Sequence, residues 1–102
     1  MKAWKAFEAT AAALFHGRRF WANSGERTDF AGRIGKHLVR GQCKLAKTLS
    51  LEGLTKLAEE PGVDVVCVKV RRGRGKESPT LVVFTAENYT RLHGVQDEQV
   101  AA

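Results

Sequence analysis

Proline, cysteine and acid are scarce in this chain, and long apolar runs are missing. Two prolines among 102 residues, with 43% hydrophobic residues, exclude a proline-rich linker and fit a folded domain. Two cysteines, Cys43 and Cys67, exclude a disulfide framework, and neither sits in a CxxC or Cys/His spacing that holds zinc. Both lie in apolar, strand-like runs, which predicts buried, reduced thiols and a cytoplasmic setting. The uncharged run ATAAALF is far too short to span a bilayer, and Glu8 interrupts any signal-peptide core behind Lys2 and Lys5. No membrane partner is expected. Acid is outnumbered: 11 Asp and Glu stand against 17 Lys and Arg, a net charge of +6 that favours a polyanionic partner such as nucleic acid.

What is present reads as one domain over residues 1–102, with 95–102 as a frayed tail. KAWKAFEATAAALFHG (2–17) predicts a helix, because Trp4, Phe7, Ala11, Leu14 and Phe15 recur at helical spacing as one apolar stripe. Gly17 is the expected C-cap. Glu8 falls at the edge of the stripe rather than on the solvated face. RRFWA (18–22) reads as a short strand, NSGE (23–26) as a turn, and TDF (28–30) as a second short strand or strand end. AGRIG (31–35) is an expected hairpin into the strand KHLVRGQCKLA (36–46). Ser50 should N-cap the helix LEGLTKLAEE (51–60), and VDVVCVKV (63–70) should be a central strand buried on both faces. A basic turn, RRGRGKESP (71–79), leads to the strand TLVVFT (80–85) and a closing helix, AENYTRLHG (86–94). The order α-β-β-β-α-β-β-α predicts an α/β fold: a mixed β-sheet of about four to five strands flanked by helices, with a right-handed parallel crossover around residues 51–60.

Alternation along 36–46 puts Leu38, Arg40, Gln42 and Lys44 on one face and Val39, Gly41, Cys43 and Leu45 on the other. The second face is ordinary core. The first aligns an amide with an ammonium. If a hairpin brings Asp29 beside them, a carboxylate and an amide oxygen meet, a donor set suited to a hard cation such as Mg²⁺. The Cys43 carbonyl is a further candidate oxygen. Lys44 could polarise a water or neutralise charge developing on a phosphate. These are the parts of metal-assisted phosphodiester hydrolysis. Arg71, Arg72, Arg74 and Lys76 suit phosphate contacts, and Arg18 and Arg19 extend the basic rim. RRGRGK is not a P-loop, since the earlier glycine is missing and Glu77 follows Lys76. His16, His37 and His93 show no ligand spacing, and Ser24 has no evident His/Asp partner for a serine hydrolase.

SGERTDF followed by VRGQCK resembles the PD-(D/E)XK nuclease superfamily, in which an acid opens a hairpin and (E/D/Q)-x-K lies on the next strand. The QCK form is similar to Mrr-type restriction endonucleases. The small size, the helix carrying Glu8 and the Ser-Gly turn before Asp29 are similar to archaeal-type and phage Holliday junction resolvases. The resemblance covers roughly residues 4–93. It implies a restriction-endonuclease-like α-β-β-β-α-β core and a metal site. In that site Asp29 is the central ligand, Gln42 the second ligand, Lys44 the catalytic lysine and Glu8 the helix-borne carboxylate. It implies Mg²⁺, with Mn²⁺ able to substitute, and no small-molecule cofactor. The implied substrate is DNA, branched or duplex, with Ser24 of the turn joining Arg18, Arg19, Arg71, Arg72, Arg74 and Lys76 in holding it. A homodimer is implied as well, since cutting a four-way junction takes two active sites. The setting would be DNA recombination in a bacterial or phage-infected cell. The chain departs from the pattern in two places: Gln42 is neutral where most of the superfamily has a carboxylate, and Arg27-Thr28 replaces the motif proline.

Plainer roles exist for each residue. Asp29 would serve as a turn cap, Gln42 and Lys44 as the solvated face of an edge strand, and Glu8 as a helix partner of Lys5. Two other functions also fit: a non-catalytic nucleic-acid-binding module on the same fold, and an antitoxin-like interaction protein, suggested by the strand-then-helix end TLVVFTAENYTRLHG.

Overall fold

The computed structural model describes residues 3–20 and 27–94. The expected NSGE turn, Trp21 and Ala22 of the first strand, and the tail 95–102 lie outside the described residues. The elements follow the predicted order: α1 (Ala3–Leu14), β1 (Arg18–Arg19), β2 (Phe30–Ile34), β3 (His37–Ala46), α2 (Leu51–Glu59), β4 (Val65–Val70), β5 (Thr80–Val83) and α3 (Ala86–His93). They form an α/β domain on a five-stranded mixed sheet whose spatial order, β1-β2-β3-β4-β5, is the chain order. Neighbouring strands are antiparallel except β3 and β4, which are parallel. That single parallel pair requires a crossover, and α2 supplies it. Residues 31–34, expected as a turn, instead extend β2, and the reversal is confined to Gly35 and Lys36.

The sheet carries a core on each face. On one, Phe7, Ala11, Ala12 and Phe15 of α1 pack with Phe30, Val39, Val65, Cys67 and Leu92. On the other, Ala58, Leu54 and Leu57 of α2 cover Val66, Val68 and Val83. β4 feeds alternate residues to both, which is why VVCV carries no polar residue and is buried throughout. Phe30 is fully buried and stacks on Phe15 at 5.7 Å between ring centroids; burying a side chain of this size contributes about 1.5–3 kcal/mol. The helical stripe is narrower than predicted. Trp4 (44% exposed) and Leu14 (52%) lie outside it, and Ala12 is buried instead.

The end of α1 also corrects a detail. His16, at φ 54°, takes the left-handed position expected for Gly17, and the Gly17 and His16 N–H groups donate to the Ala12 and Ala13 carbonyls (2.9 and 3.1 Å). This is a Schellman termination with Gly17 one residue further on. Gly17 is glycine for another reason: a Cβ there would lie 1.9 Å from the Ala31 carbonyl oxygen on β2. The close approach of chain to strand fixes the exit from α1 towards β1. Ser50 caps α2 as predicted, accepting the Gly53 N–H at 2.9 Å, and Thr85 does the same for α3 through Asn88 (3.0 Å).

Candidate functional site

Asp29 decides the geometry. Its N–H donates to the Gly41 carbonyl at 2.8 Å, yet Gly41 is already the ladder partner of Phe30. Two residues of one strand therefore stand opposite one residue of β3, the arrangement of a β-bulge. A bulge breaks the in–out alternation. Phe30 enters the core beneath α1, and Asp29 turns to the same side of the sheet. There its Oδ2 accepts the Cys43 N–H at 2.8 Å. Gly41 permits this, because a side chain on it would meet the Phe30 ring.

Glu8 reaches the same point from α1. Its Oε1 accepts from Nε and Nη2 of Arg19, each at 3.3 Å, and its side chain is only 12% exposed. Burial raises the Glu8 pKa, the neighbouring Asp29 carboxylate raises it further, and Arg19 opposes both. Asp29 therefore lies close enough to Glu8 for the two carboxylates to feel each other's charge. Two carboxylates from distant parts of the sequence thus share a half-buried corner with one guanidinium. Cys43 lies beside them, its thiol pushed up first by burial and then by Cys67, Asp29 and Glu8.

Gln42 and Lys44 do not join this corner. They keep the period-2 alternation that Asp29 breaks, so they face α2 on the opposite side of the sheet. Gln42 Nε2 donates to the Arg27 carbonyl (3.1 Å) and to Glu60 Oε2 (3.4 Å), just past the end of α2. Lys44 is exposed beside a small apolar depression shared with Leu54 and Val68. The predicted quartet of Asp29, Gln42, Lys44 and Glu8 is therefore split into two pairs by the sheet. The Cys43 amide, rather than its carbonyl, is what the strand presents to Asp29.

The carboxylate corner still fits a divalent cation. Arg19 takes one Glu8 oxygen and the Cys43 amide takes one Asp29 oxygen, which leaves the second oxygen of each open to another partner. Mg²⁺ is commonly held by one or two carboxylates with water and substrate oxygens completing its shell. Among the described residues no group of three or more His, Cys, Asp and Glu side chains is placed to hold a metal ion. A cation here would draw its remaining ligands from solvent and substrate. Thr28, next to Asp29, is 6% exposed, and its hydroxyl has no hydrogen-bond partner among the described residues.

The basic residues divide as well. Arg18 is exposed on β1, while Arg19 is committed to Glu8. Arg71, Arg72, Arg74 and Lys76 are all exposed on the β4–β5 turn, and Ser24 lies outside the described residues. Two contributors were missed from the sequence. Lys69 stands on the α1 side of β4 beside that turn, and the alternation Val65, Cys67, Lys69 could have identified it. Asp64 accepts the Arg40 N–H (2.8 Å) and pairs with Arg91 of α3 (2.5 Å), tying the entry of β4 to β3 and α3. Nothing in its local sequence marks it. Among the described residues no helix is long and apolar enough to cross a membrane. No family model, no curated protein and no solved structure matches this chain.

Proposed function

We propose that the protein is a metal-dependent nuclease that hydrolyses phosphodiester bonds in DNA. The observation carrying this reading is the meeting of Glu8 and Asp29 in one half-buried corner, on a protein of +6 net charge. Two neighbouring carboxylates repel unless a proton or a cation offsets their charge. Arg19 offsets part of that charge and holds the Glu8 carboxylate in place; the Cys43 amide does the same for Asp29. A bound Mg²⁺ would supply the positive charge that stabilises a phosphate under attack and acidifies a water. The exposed cations of the β4–β5 turn would hold the backbone through contacts that carry little sequence information. Branched DNA is the substrate we favour, and a homodimer the assembly, since a four-way junction needs two cuts.

The test is cleavage of labelled four-way junction, duplex and single-stranded DNA in Mg²⁺ or Mn²⁺. Glu8→Gln and Asp29→Asn should abolish cutting, as should EDTA, with the fold unchanged by circular dichroism. Full activity in either variant would overturn the assignment. The geometry further expects Gln42→Ala and Lys44→Ala to keep most of the activity.

A second reading has its own support. With Gln42 and Lys44 on the far face, no lysine of the described residues meets the carboxylate corner. A non-catalytic nucleic-acid-binding module would show salt-sensitive DNA binding without cutting under any metal.

A further inference from the structure

On the other flank of α1 from Glu8, a cleft of about 540 Å³ opens between the helix and the β4–β5 turn. Its floor is apolar: Ala3, Ala6 and Phe7 of α1 with Leu45 of β3. Its wall carries Lys69, Arg71, Arg72, Arg74 and Lys76, and no carboxylate of the described residues lines it. The wall is built rather than draped. Ser78 Oγ donates to the Val70 carbonyl (2.5 Å) and closes the base of the turn. Gly73 and Gly75, at φ 99° and 73°, take left-handed conformations that other residues adopt at a cost, and so let the cations alternate along a tight path. Arg72 is partly engaged, donating to the Glu77 carbonyl (3.0 Å); the other four cations have no acidic partner among the described residues.

We propose that this cleft takes an unpaired stretch of a nucleic-acid strand, one or more bases lying on the apolar floor and successive phosphates on the cationic wall. The inference rests on the nuclease reading and adds the class of substrate segment that the protein grips. Volume, floor and charge decide it together. The cleft falls in the size range of pockets that enclose small ligands, which admits nucleotides but not the body of a duplex. A duplex lying across the turn would satisfy the cations and leave the floor uncovered, whereas an unpaired base has an apolar face to bury there. A free mononucleotide brings at most about two negative charges, too few for this wall. Junctions and processed ends present such unpaired segments.

The experiment is fluorescence anisotropy of a labelled single-stranded oligonucleotide in EDTA, with the matching blunt duplex and a nucleoside monophosphate as competitors. Burial of even one base predicts single-strand binding about tenfold tighter than duplex binding. With four free cations engaged, raising salt from about 50 to about 200 mM should weaken binding about 50-fold, and only about sevenfold in Arg71→Ala/Arg74→Ala. Ala6→Gln makes the floor polar and fuller, keeps every cation and changes an exposed position. It should lower single-strand affinity about tenfold and leave duplex affinity unchanged, with the melting temperature as a check on folding. Equal binding of duplex and single strand, full competition by the mononucleotide, or an Ala6→Gln protein that binds as the wild type would each overturn the proposal. Binding is read without metal, so loss of cleavage with the strand preference intact sinks the nuclease reading alone. Cleavage without strand preference sinks the cleft alone.

Discussion

Gly41→Ala tests the packing that aims Asp29. A Cβ at Gly41 would stand 2.1 Å from Phe30 Cζ and 2.3 Å from Cε1, against an ordinary contact limit of 3.4 Å. The ring must therefore retreat by roughly 1.3 Å. It has nowhere free to go: Phe30 is fully buried, with Phe15 stacked on it. Overpacking of this kind costs about 1–3 kcal/mol. For a domain of this size that lowers the melting temperature by about 5–15 °C. The assay is thermal unfolding followed by circular dichroism, for Gly41→Ala, Phe30→Leu and the double variant. Leucine lacks the ring atoms that clash, so the double variant should recover part of the loss, with a coupling of about 1 kcal/mol or more. Strict additivity, or a Gly41→Ala protein that melts with the wild type, would refute the argument. On the nuclease reading we propose, the same substitution should also weaken cleavage in Mg²⁺, because Asp29 and Phe30 share Gly41 as their cross-strand neighbour.

Other expectations follow from the same contacts. Burial holds the Cys67 thiol up at about 11 and raises Cys43 as well, so neither should react with a thiol reagent near pH 8 until the protein is denatured; rapid labelling of the native protein would contradict this. Asp64→Ala removes the acceptor of the Arg40 amide and the partner of Arg91, and should cost about 1–3 kcal/mol in urea unfolding; an unchanged midpoint would show the ties to be idle. Glu8 has a raised pKa when folded, so its contribution is most favourable below the usual carboxylate range and is lost as pH rises through the folded value. In EDTA, the stability of Glu8→Gln relative to wild type should therefore increase from acid to neutral pH, and a flat or falling difference in melting temperature would contradict the environment assigned to Glu8.

Much of the fold is legible in the chain because the relevant signals are local. The stripe of Phe7, Ala11 and Phe15 requires one buried helical face, Ser50 begins α2, and the all-apolar VVCV run demands cover on both sides. The meeting of Glu8 with Asp29 is different: the residues themselves only suggest Asp29 beside Gln42 and Lys44, and it is the nuclease resemblance that adds the helix-borne Glu8. Gly17 shows where such reading stops: its glycine reads as a cap signal, but the tertiary contact with Ala31 is what forbids a side chain.

The element order, the mixed sheet and the basic turn are written in the chain, because periodicity, caps and glycines act over a few residues. The direction of Asp29 was decided by tertiary structure alone. Alternation counted from the sequence assumes an unbroken ladder, and the bulge opposite Gly41 adds one residue to a single strand. That one-residue slip placed Asp29 with Glu8 beneath α1 and left Gln42 and Lys44 facing α2, across a sheet that no side chain reaches through.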